Sequence, residues 1–366
     1  MWYLGRWWEG LYLDAGGSAE DRRQLDGFRR QIDAWSAWRD AQGRRAFAIP
    51  RSSGTDDPQV AALDQISFAT WLDQHGLTSP RLRWLCDYGC RDDYALTAAT
   101  TSAWAGIFYF AARQKAPGAA SQTVVTWPNG NAALVAQLAA SARVESGVTV
   151  VDVDEVAGTL VAIAPDGPIG IRARSIIIAT PTFVANRIVR GRRGAAPPGQ
   201  GDHGAWVVAN VHLRGRPIER GRGCPPAWDN VFRDSPSLGY VSATHQRGRD
   251  RGPTVWTWYY AFADADAAAV RTKLAGAGYA EWAEVILADL ERAHPDVREQ
   301  VEHIEVAFWG HGMIRPRVGS MWSAARAARA TPLGRVHFAH TDLSGLALFE
   351  EAFDHGLRAA REVTAA

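Results

Sequence analysis

One histidine between two glycines is the clearest candidate for proton transfer in this sequence. His311 lies in the segment WGHGM at residues 309–313, and an imidazole changes its charge near neutral pH. Trp309 and Tyr259, with Tyr260 as the alternative to Tyr259, are candidates for the walls of a flat substrate pocket. A lone histidine in a turn is more often a hydrogen-bonded structural residue, and that interpretation of His311 stays open.

A second group of reactive side chains is the run DYGCRDDY at residues 87–94. Its acids and tyrosines suit contact with a polar substrate, but they lack the spaced oxygen ligands of a calcium loop. A solvated helix end is the other interpretation, and it is the one that we favour.

Metal binding is not expected from the remaining histidines and cysteines. His337 and His340 form an H-x-x-H pair, but the pair crosses from a strand into a turn, so no zinc site is predicted. Cys86, Cys90 and Cys224 form no CxxC pair, which leaves buried or free thiols as the expectation.

The closing segment, residues 334–363, places a helix directly behind a strand. An apolar run at 336–339 ends in a polar turn at 341–345, and residues with helical spacing follow. The N-terminus of such a helix attracts anionic or polar ligand groups. Packing of the helix on the strand is the structural alternative, and Gly356 inside the helix predicts a close packing contact in either case.

The preceding chain predicts a helical first part and a strand-rich remainder. One or two short strands are expected over 2–13. In the second half of the chain we expect a sheet with two long strands and, separately, an amphipathic helix. The first predicted helix begins at the Ser18 and Asp21 capping box and ends at Gly43. Further helices are predicted over 68–74, from Ser79-Pro80 onwards, after the Pro-Asn-Gly turn at 128–130, and over 279–293. The predicted strands are 148–153, 160–164, 169–173, 175–181, 206–213, 254–262 and 301–316.

Two of these segments carry a further expectation. SIIIATP, residues 175–181, is a continuous apolar β-branched run, which predicts a strand buried on both faces. The Gly- and Pro-rich stretch at 191–204 marks a boundary between structural units.

Composition excludes several classes of protein. The chain has 366 residues, a net charge of +1 and 47% hydrophobic residues, which is ordinary for a globular enzyme and argues against an electrostatic nucleic-acid binder. The sequence contains no run of about 18 apolar residues, so no membrane span is predicted. No export signal is recognised at the start, so the localisation stays open with the cytoplasm as the default.

The order of these elements resembles the flavin-dependent amine oxidase superfamily. The resemblance is carried by the Pro-Asn-Gly turn before a helix, the three-strand meander, the strand ending in Ala-Thr-Pro, the inserted sheet, and the final FAHTDLSGLALFEEAFDHGLRAA. It covers roughly residues 121–190 and 300–363. It implies FAD as the cofactor and hydride transfer from an amine or related small-molecule substrate to the flavin N5. No serine triad or paired acid and base is visible, which agrees with chemistry carried by a cofactor.

The implied fold class is α/β with an α+β substrate domain. It comprises an incomplete FAD-binding Rossmann-like domain, an inserted antiparallel sheet and a helical cap. The implied domains are a helical substrate cap at 1–120, part of the FAD-binding domain at 121–195, the substrate domain at 196–320, and the C-terminal FAD-binding strand and helix at 321–366.

The resemblance also assigns cofactor-binding positions. Val150 is assigned to the adenine, or Val151 if the register slides by one residue. Thr180 and Pro181 are assigned to the strand end that passes the flavin. Near the ribityl chain the assigned residues are Asp342, Ser344 and Gly345, and at the first turn of the helix they are Glu350, Glu351 and Ala352. Two positions depart from the family pattern, because His340 replaces a usual glycine and Glu351-Ala352 replaces a Gly-Ala pair.

The strand, G-x-G-x-x-G turn and helix that open this family are not found in the sequence. The chain therefore reads as the family without its first nucleotide-binding unit, for example through an N-terminal truncation. A cofactor-free remnant that acts as a binding protein is the alternative function. In that case a homodimer, or a partner that supplies the missing strands, would cover the exposed strands.

Overall fold

Helices dominate the first part of the chain, and the rest of the described structure is divided between sheets and further helices. The computed structural model describes residues 1–12, 16–114, 127–194, 202–218, 224, 227–248 and 251–365. The predicted extended segment at 123–126 and positions 195–201 of the predicted linker lie outside these residues.

The bounds of the elements follow chain order. The strands are β1 (Trp2–Tyr3), β2 (Arg6–Trp7), β3 (Thr149–Asp154), β4 (Thr159–Ala164), β5 (Gly167–Arg172), β6 (Ile176–Ile178), β7 (His203–Leu213), β8 (Asp229–Asn230), β9 (Tyr240–Ser242), β10 (Thr254–Ala261), β11 (Val301–Ile314) and β12 (Val336–Phe338). The helices are α1 (Ala19–Ala37), α2 (Pro58–Ala61), α3 (Phe68–Gln74), α4 (Pro80–Tyr94), α5 (Ala103–Ala111), α6 (Ala132–Ala139), α7 (Thr182–Ile188), α8 (Ala267–Gly276), α9 (Tyr279–Glu291), α10 (Val297–Gln300), α11 (Ala324–Arg329) and α12 (Phe349–Ala365).

Helix α1 begins where the sequence predicts and ends earlier. The Asp21 N–H donates to Oγ of Ser18 at 3.0 Å, and the Ser18 N–H donates to the Asp21 carboxylate at 2.9 Å, which confirms the capping box. The predicted end at Gly43 is wrong. The Asp40 carboxylate accepts the N–H groups of Gln42 and Arg44 at 2.9 and 2.8 Å, and such a side-chain turn competes with the helix.

The helical cap has its own apolar core. Helices α3 and α4 start at Phe68 and Pro80 as predicted. Helix α5 crosses them with Trp104, Ile107 and Phe108 buried. The cap also reaches the far end of the chain, because the buried Asp64 carboxylate accepts the Met321 N–H at 2.9 Å. Residues from the two ends of the chain thus share one core.

The predicted meander and C-terminal strand are present, but strand β6 is not buried on both faces. Strands β3, β4 and β5 form an antiparallel sheet, and β6 pairs in parallel with β12. Ile176 and Ile178 are buried, whereas Ile177 is 42% exposed. The prediction fails because alternate side chains point to opposite faces, and the face that carries Ile177 is covered at β12, where its partner His337 is buried, but not at β6.

The central sheet has the strand order β11-β7-β10-β9-β8 and is antiparallel throughout. One face packs against α8 and α9 through Val207, Ala209 and Val211 of β7. The alternate residues of β7 point to the opposite face, which we call the open face. The N-terminal strands join the helix-packed core, since Trp2 and Trp7 lie in it.

Two further expectations are tested here. Apart from the backbone of its own helix, no atom of the described residues lies within 4 Å of the position that a Cβ of Gly356 would take, so the predicted close packing contact at this glycine is wrong. No helix in the described ranges is both long and apolar enough to cross a lipid bilayer.

We expect Gly106→Ala to lower the free energy of unfolding by about 1 to 3 kcal/mol, because a Cβ at this position would overlap the ring of the fully buried Phe68. Gly356→Ala is the matched control. It lies in a helix with open space around it, and we expect a gain of about 0.5 to 1 kcal/mol. Urea unfolding followed by tryptophan fluorescence measures both, and equal effects of the two substitutions would contradict the packing argument.

Candidate functional site

The buried carboxylate of Asp342 joins three segments of the chain. Its Oδ2 accepts the Thr182 N–H at 2.8 Å, and its Oδ1 lies 3.0 Å from Nε2 of His203. Thr182 begins α7 behind β6, His203 begins β7, and Asp342 follows β12. One carboxylate therefore holds the ends of three strands together.

Two histidines keep this carboxylate ionised. Burial alone raises the pKa of Asp342, but hydrogen bonds and electrostatic interactions with His203 and His340 outweigh it and hold the pKa well below its usual value of 3.8. The Asp342 N–H also donates to Nδ1 of His340 at 3.1 Å. Because protein donors engage both carboxylate oxygens, this geometry gives Asp342 a positioning role. The cofactor contact expected from the sequence stays a prediction.

The end of strand β6 carries an unsatisfied hydroxyl. Oγ1 of Thr180 is buried and has no hydrogen-bond partner among the described residues, and Pro181 next to it caps α7. Buried hydroxyl groups are normally hydrogen-bonded. Thr180 therefore fits a contact with a polar atom of a bound ligand, at the strand end where ligands of open sheets gather.

The polar turn after β12 uses its own backbone donors. The N–H groups of Ser344 and Gly345 both donate to the Thr341 carbonyl, at 3.1 and 3.0 Å. Gly345 has a φ of +81°, in the region that favours glycine. Ser344 and Gly345 therefore have no free backbone N–H to donate to a ligand. Their assignment to the ribityl region of the cofactor stays a prediction.

Helix α12 offers fewer free donors than the sequence predicts. The Ala352 N–H donates to the Leu348 carbonyl at 3.2 Å, so this donor is already engaged. The N–H groups of Glu350 and Glu351 lie in the first turn, where helical donors lack an intrahelical partner. The positive end of the helix dipole is thus formed mainly by these two residues.

The side chain of Glu351 points away from this donor group and into the protein. It is 1% exposed, and its Oε1 accepts the Arg51 N–H at 2.7 Å. Burial is the main reason why the pKa of Glu351 is raised. Glu351 therefore connects α12 to the cap.

His311 lies in β11, beside aromatic rings that lead to Asp342. Its ring stacks on Phe183 with centroids 4.3 Å apart, and the His203 ring lies 6.1 Å away. Partial burial, followed by the charge of Arg271, lowers the pKa of His311. A neutral imidazole at neutral pH is able to accept a proton. The structure thus brings His311 next to the group around Asp342.

Trp309 and Tyr259 share the open face but do not pair with each other. Trp309 pairs with Trp206 of β7 and is 56% exposed, whereas Tyr259 pairs with Val208. The alternative prediction, that Tyr260 and Trp309 form the walls of the substrate pocket, is wrong, because Tyr260 packs in the core on the helix side of the sheet. A one-residue shift along a strand changes the face.

An acidic cavity lies beside Tyr259. It has a volume of about 500 Å³, and its lining includes Trp7, Trp8, Leu11 and Asp229. The Tyr259 hydroxyl lies 3.5 Å from Oδ1 of Asp229, at the limit of a hydrogen bond. The Asp229 side chain is accessible from the cavity. The surrounding protein nevertheless removes water from its carboxylate, and this desolvation raises the pKa of Asp229 to about 6.

Two acids of the run at 87–94 are also packed into the protein. Asp92 and Asp93 are half-buried. Burial, then repulsion by Asp93 and Asp229, raises the pKa of Asp92 well above its usual value, and burial raises the pKa of Asp93 to about 6. The favoured interpretation as a solvated helix end is therefore wrong, because this end of α4 packs inside the protein, where the Tyr94 hydroxyl donates to the Ala105 carbonyl at 2.9 Å.

Val150 lies away from these groups. It is half-buried in β3 and packs on the core formed with β6 and β12, whereas Val151 is 42% exposed. The described contacts leave the assignment of either residue to the adenine as a prediction.

Sequence reasoning missed His203, Phe183 and Asp229. Phe183 had a signal, since it follows the Thr180-Pro181 strand end in sequence. His203 and Asp229 had none, because their partners Asp342 and Tyr259 lie 139 and 30 residues away in the chain.

We expect Asp342→Asn to lower the free energy of unfolding by about 1.5 to 3 kcal/mol at pH 7, because charge-assisted hydrogen bonds are lost. The folded-state pKa of Asp342 is depressed, so its stabilisation is present above about pH 4 and is lost as the pH falls further. The deficit of the variant should shrink below about pH 4 in urea unfolding. Asp166→Asn, at an exposed turn, serves as the control, and a pH-independent deficit at Asp342 would contradict the charge argument.

Solved structures with a similar fold include amine oxidases. Putrescine oxidase bound to putrescine is 16% identical with a TM-score of 0.65, and the match covers 98% of this chain and 78% of the oxidase. Cyclohexylamine oxidase from Brevibacterium oxydans IH-35A is 15% identical with a TM-score of 0.56, and the match covers 96% and 75% of the two chains. The mixed α/β architecture with antiparallel sheets therefore matches the amine oxidase fold over nearly the whole chain.

The sequence itself gives the family. No curated protein matches the chain. The family model described as flavin containing amine oxidoreductase matches residues 9–364, which include the Asp342 group, His311 and Asp229. The family suspected from the order of elements is thereby confirmed, and the protein belongs to the flavin-containing amine oxidoreductases.

Proposed function

We propose that this protein is an FAD-dependent oxidoreductase that oxidises an amine. The observation that carries the proposal is the family match over residues 9–364. Bound FAD would supply the chemistry by accepting a hydride equivalent from the substrate. The residues of this chain would then bind the cofactor, hold the amine and accept the proton that the alkylammonium loses.

The end of β6 and the start of α12 are the parts that fit the cofactor. The unsatisfied Thr180 hydroxyl suits a polar atom of FAD. The free N–H groups of Glu350 and Glu351 would stabilise negative charge on a reduced cofactor, through the helix dipole. Asp342 would act by fixing the strand ends between which these groups lie, and Ser344, Gly345 and Pro181 would shape the backbone there.

His311 and the acidic cavity are the parts that fit the substrate. His311, with its lowered pKa, would take up the proton that an alkylammonium must lose before it is oxidised. Asp229, on β8 at the opposite edge of the central sheet from His311, would attract the cationic amine toward the site, and Trp7 and Trp8 would contact its apolar body there. Tyr259 would orient Asp229, while Trp309 would lie at the exposed edge of the site.

We also propose that the meander β3–β5, β6, β12 and α12 belong to a Rossmann-like FAD-binding domain, with the central sheet in the substrate domain and residues 1–120 as the cap. The 42% exposure of Ile177 supports this, because a buried parallel strand is expected to be covered on both faces.

Flavin content tests the proposal directly. We expect the tag-free protein, as purified or after incubation with FAD, to show visible flavin absorbance that bleaches with dithionite. A protein that takes up no FAD under these conditions would overturn the proposal in favour of a cofactor-free binding function.

We expect Thr180→Val to weaken FAD binding about three- to tenfold without lowering stability, since it removes one hydrogen bond to the ligand and no bond within the described protein. Fluorescence titration with FAD measures the change. Thr149→Val, at an exposed strand position, is the matched control, and Thr180→Ser should retain affinity. Equal affinity of the valine variant and wild type would remove Thr180 from the cofactor site.

We expect Asp229→Asn to raise the apparent Kd for putrescine or cyclohexylamine about two- to tenfold, because a carboxylate that attracts the ammonium group is neutralised. The pKa of Asp229 is about 6, so wild-type affinity should fall as the pH drops through 6, and the variant should show a flatter profile. Anaerobic stopped-flow measurement of flavin bleaching by the amine reports both quantities. Asp234→Asn is the control at an exposed acid, and an unchanged Kd at Asp229 would contradict the assignment.

A further inference from the structure

Two histidines face each other across the central sheet, far from the proposed cofactor site. His212 of β7 pairs directly with His303 of β11, and their rings stack with centroids 3.9 Å apart and planes 15° apart. His212 lies nine residues along β7 from His203, which is about 30 Å of extended strand. Neither histidine takes part in the arrangement proposed for amine oxidation.

A carboxylate completes a group of three metal-binding side chains. Glu305 follows His303 by two residues and therefore points to the same open face. Its carboxylate oxygens lie 3.6 Å from Nε2 of His212 and 3.9 Å from Nε2 of His303. One ligand atom from each residue lies within 4.8 Å of the other two.

These distances are too long for good hydrogen bonds and close to those of a metal site. Ligands about 2.0 to 2.1 Å from a tetrahedral zinc ion are separated from one another by about 3.3 Å. For both imidazoles to direct Nε2 at one ion, the stacked rings must turn out of their parallel arrangement, and the exposure of His303 and Glu305 leaves room for this movement. Nε2 of His212 is moreover buried and has no hydrogen-bond partner within the described chain, so a ligand at this nitrogen would satisfy a buried polar atom.

A second layer of side chains supports the carboxylate. Nδ2 of Asn210 lies 3.5 Å from Oε2 of Glu305, and Oδ1 of Asn210 accepts the Thr257 hydroxyl at 2.9 Å. Asn210 pairs with Glu305 across the strands and with Thr257 on the other side. Outer partners of this kind fix the orientation of metal ligands.

We propose that His212, His303 and Glu305 bind a divalent ion of the zinc class, with water in the remaining position. Two imidazoles and one carboxylate are a ligand set that suits zinc. The ion would join β7 and β11 next to the register shift between Val301 and His303. Its role would be to hold the start of the long strand β11 in place.

Zinc titration of the chelator-treated, tag-free full chain tests the proposal. Competition with a chromophoric chelator should show one zinc ion per chain, and thermal unfolding should shift upward with zinc. His303→Ala and Glu305→Gln should each weaken binding at least tenfold and abolish that shift. Both residues are exposed, so the variants are expected to fold.

Matched controls separate this site from adventitious binding. Glu302→Gln lies on the same strand and His245→Ala lies at another exposed position, and both should bind zinc like the wild type. Absence of saturable binding, or equal affinity of wild type, His303→Ala and Glu305→Gln, would overturn the proposal. Flavin content does not enter this measurement, so its outcome is independent of the proposed oxidase function.

Discussion

The ionised carboxylate of Asp342 is the interaction on which the arrangement of the candidate site depends. A buried charge is costly unless donors surround it, and here the donors come from the start of α7 and the start of β7. The carboxylate can therefore be accommodated only when the ends of β6 and β12 meet the start of β7. This requirement brings His203, and through its neighbours His311, to the end of the parallel strand pair.

Local elements were predictable because short-range chemistry decides them. Ser18 and Asp21 begin α1 through reciprocal hydrogen bonds, and Ser79 caps α4 in front of Pro80. The same holds for the meander, whose alternation and Asp166-Gly167 turn lie within one short segment. The end of α1 was missed because the carboxylate of Asp40 competes for backbone donors, which hydrophobic spacing does not reveal.

The site itself was only partly predictable. His311 and Asp342 were recognised from residue type and family resemblance, but their neighbours come from distant parts of the chain. The burial of Asp92 and Asp93 could not be inferred either, because a charged helix end usually lies in water and only tertiary packing removes it. The pair of His212 and His303 has no sequence spacing that indicates a metal, since strand register alone brings the two side chains together.

The contacts between the cap and the C-terminal part have a consequence for how the chain folds during synthesis. Asp64 and Glu351 are buried carboxylates that accept N–H groups from Met321 and Arg51. Met321 and Leu346 also fill the apolar core of the cap. The Met321 donor lies 257 residues after Asp64 in the chain. The cap therefore cannot complete its apolar core or satisfy the Asp64 carboxylate until this later part of the chain has been synthesised.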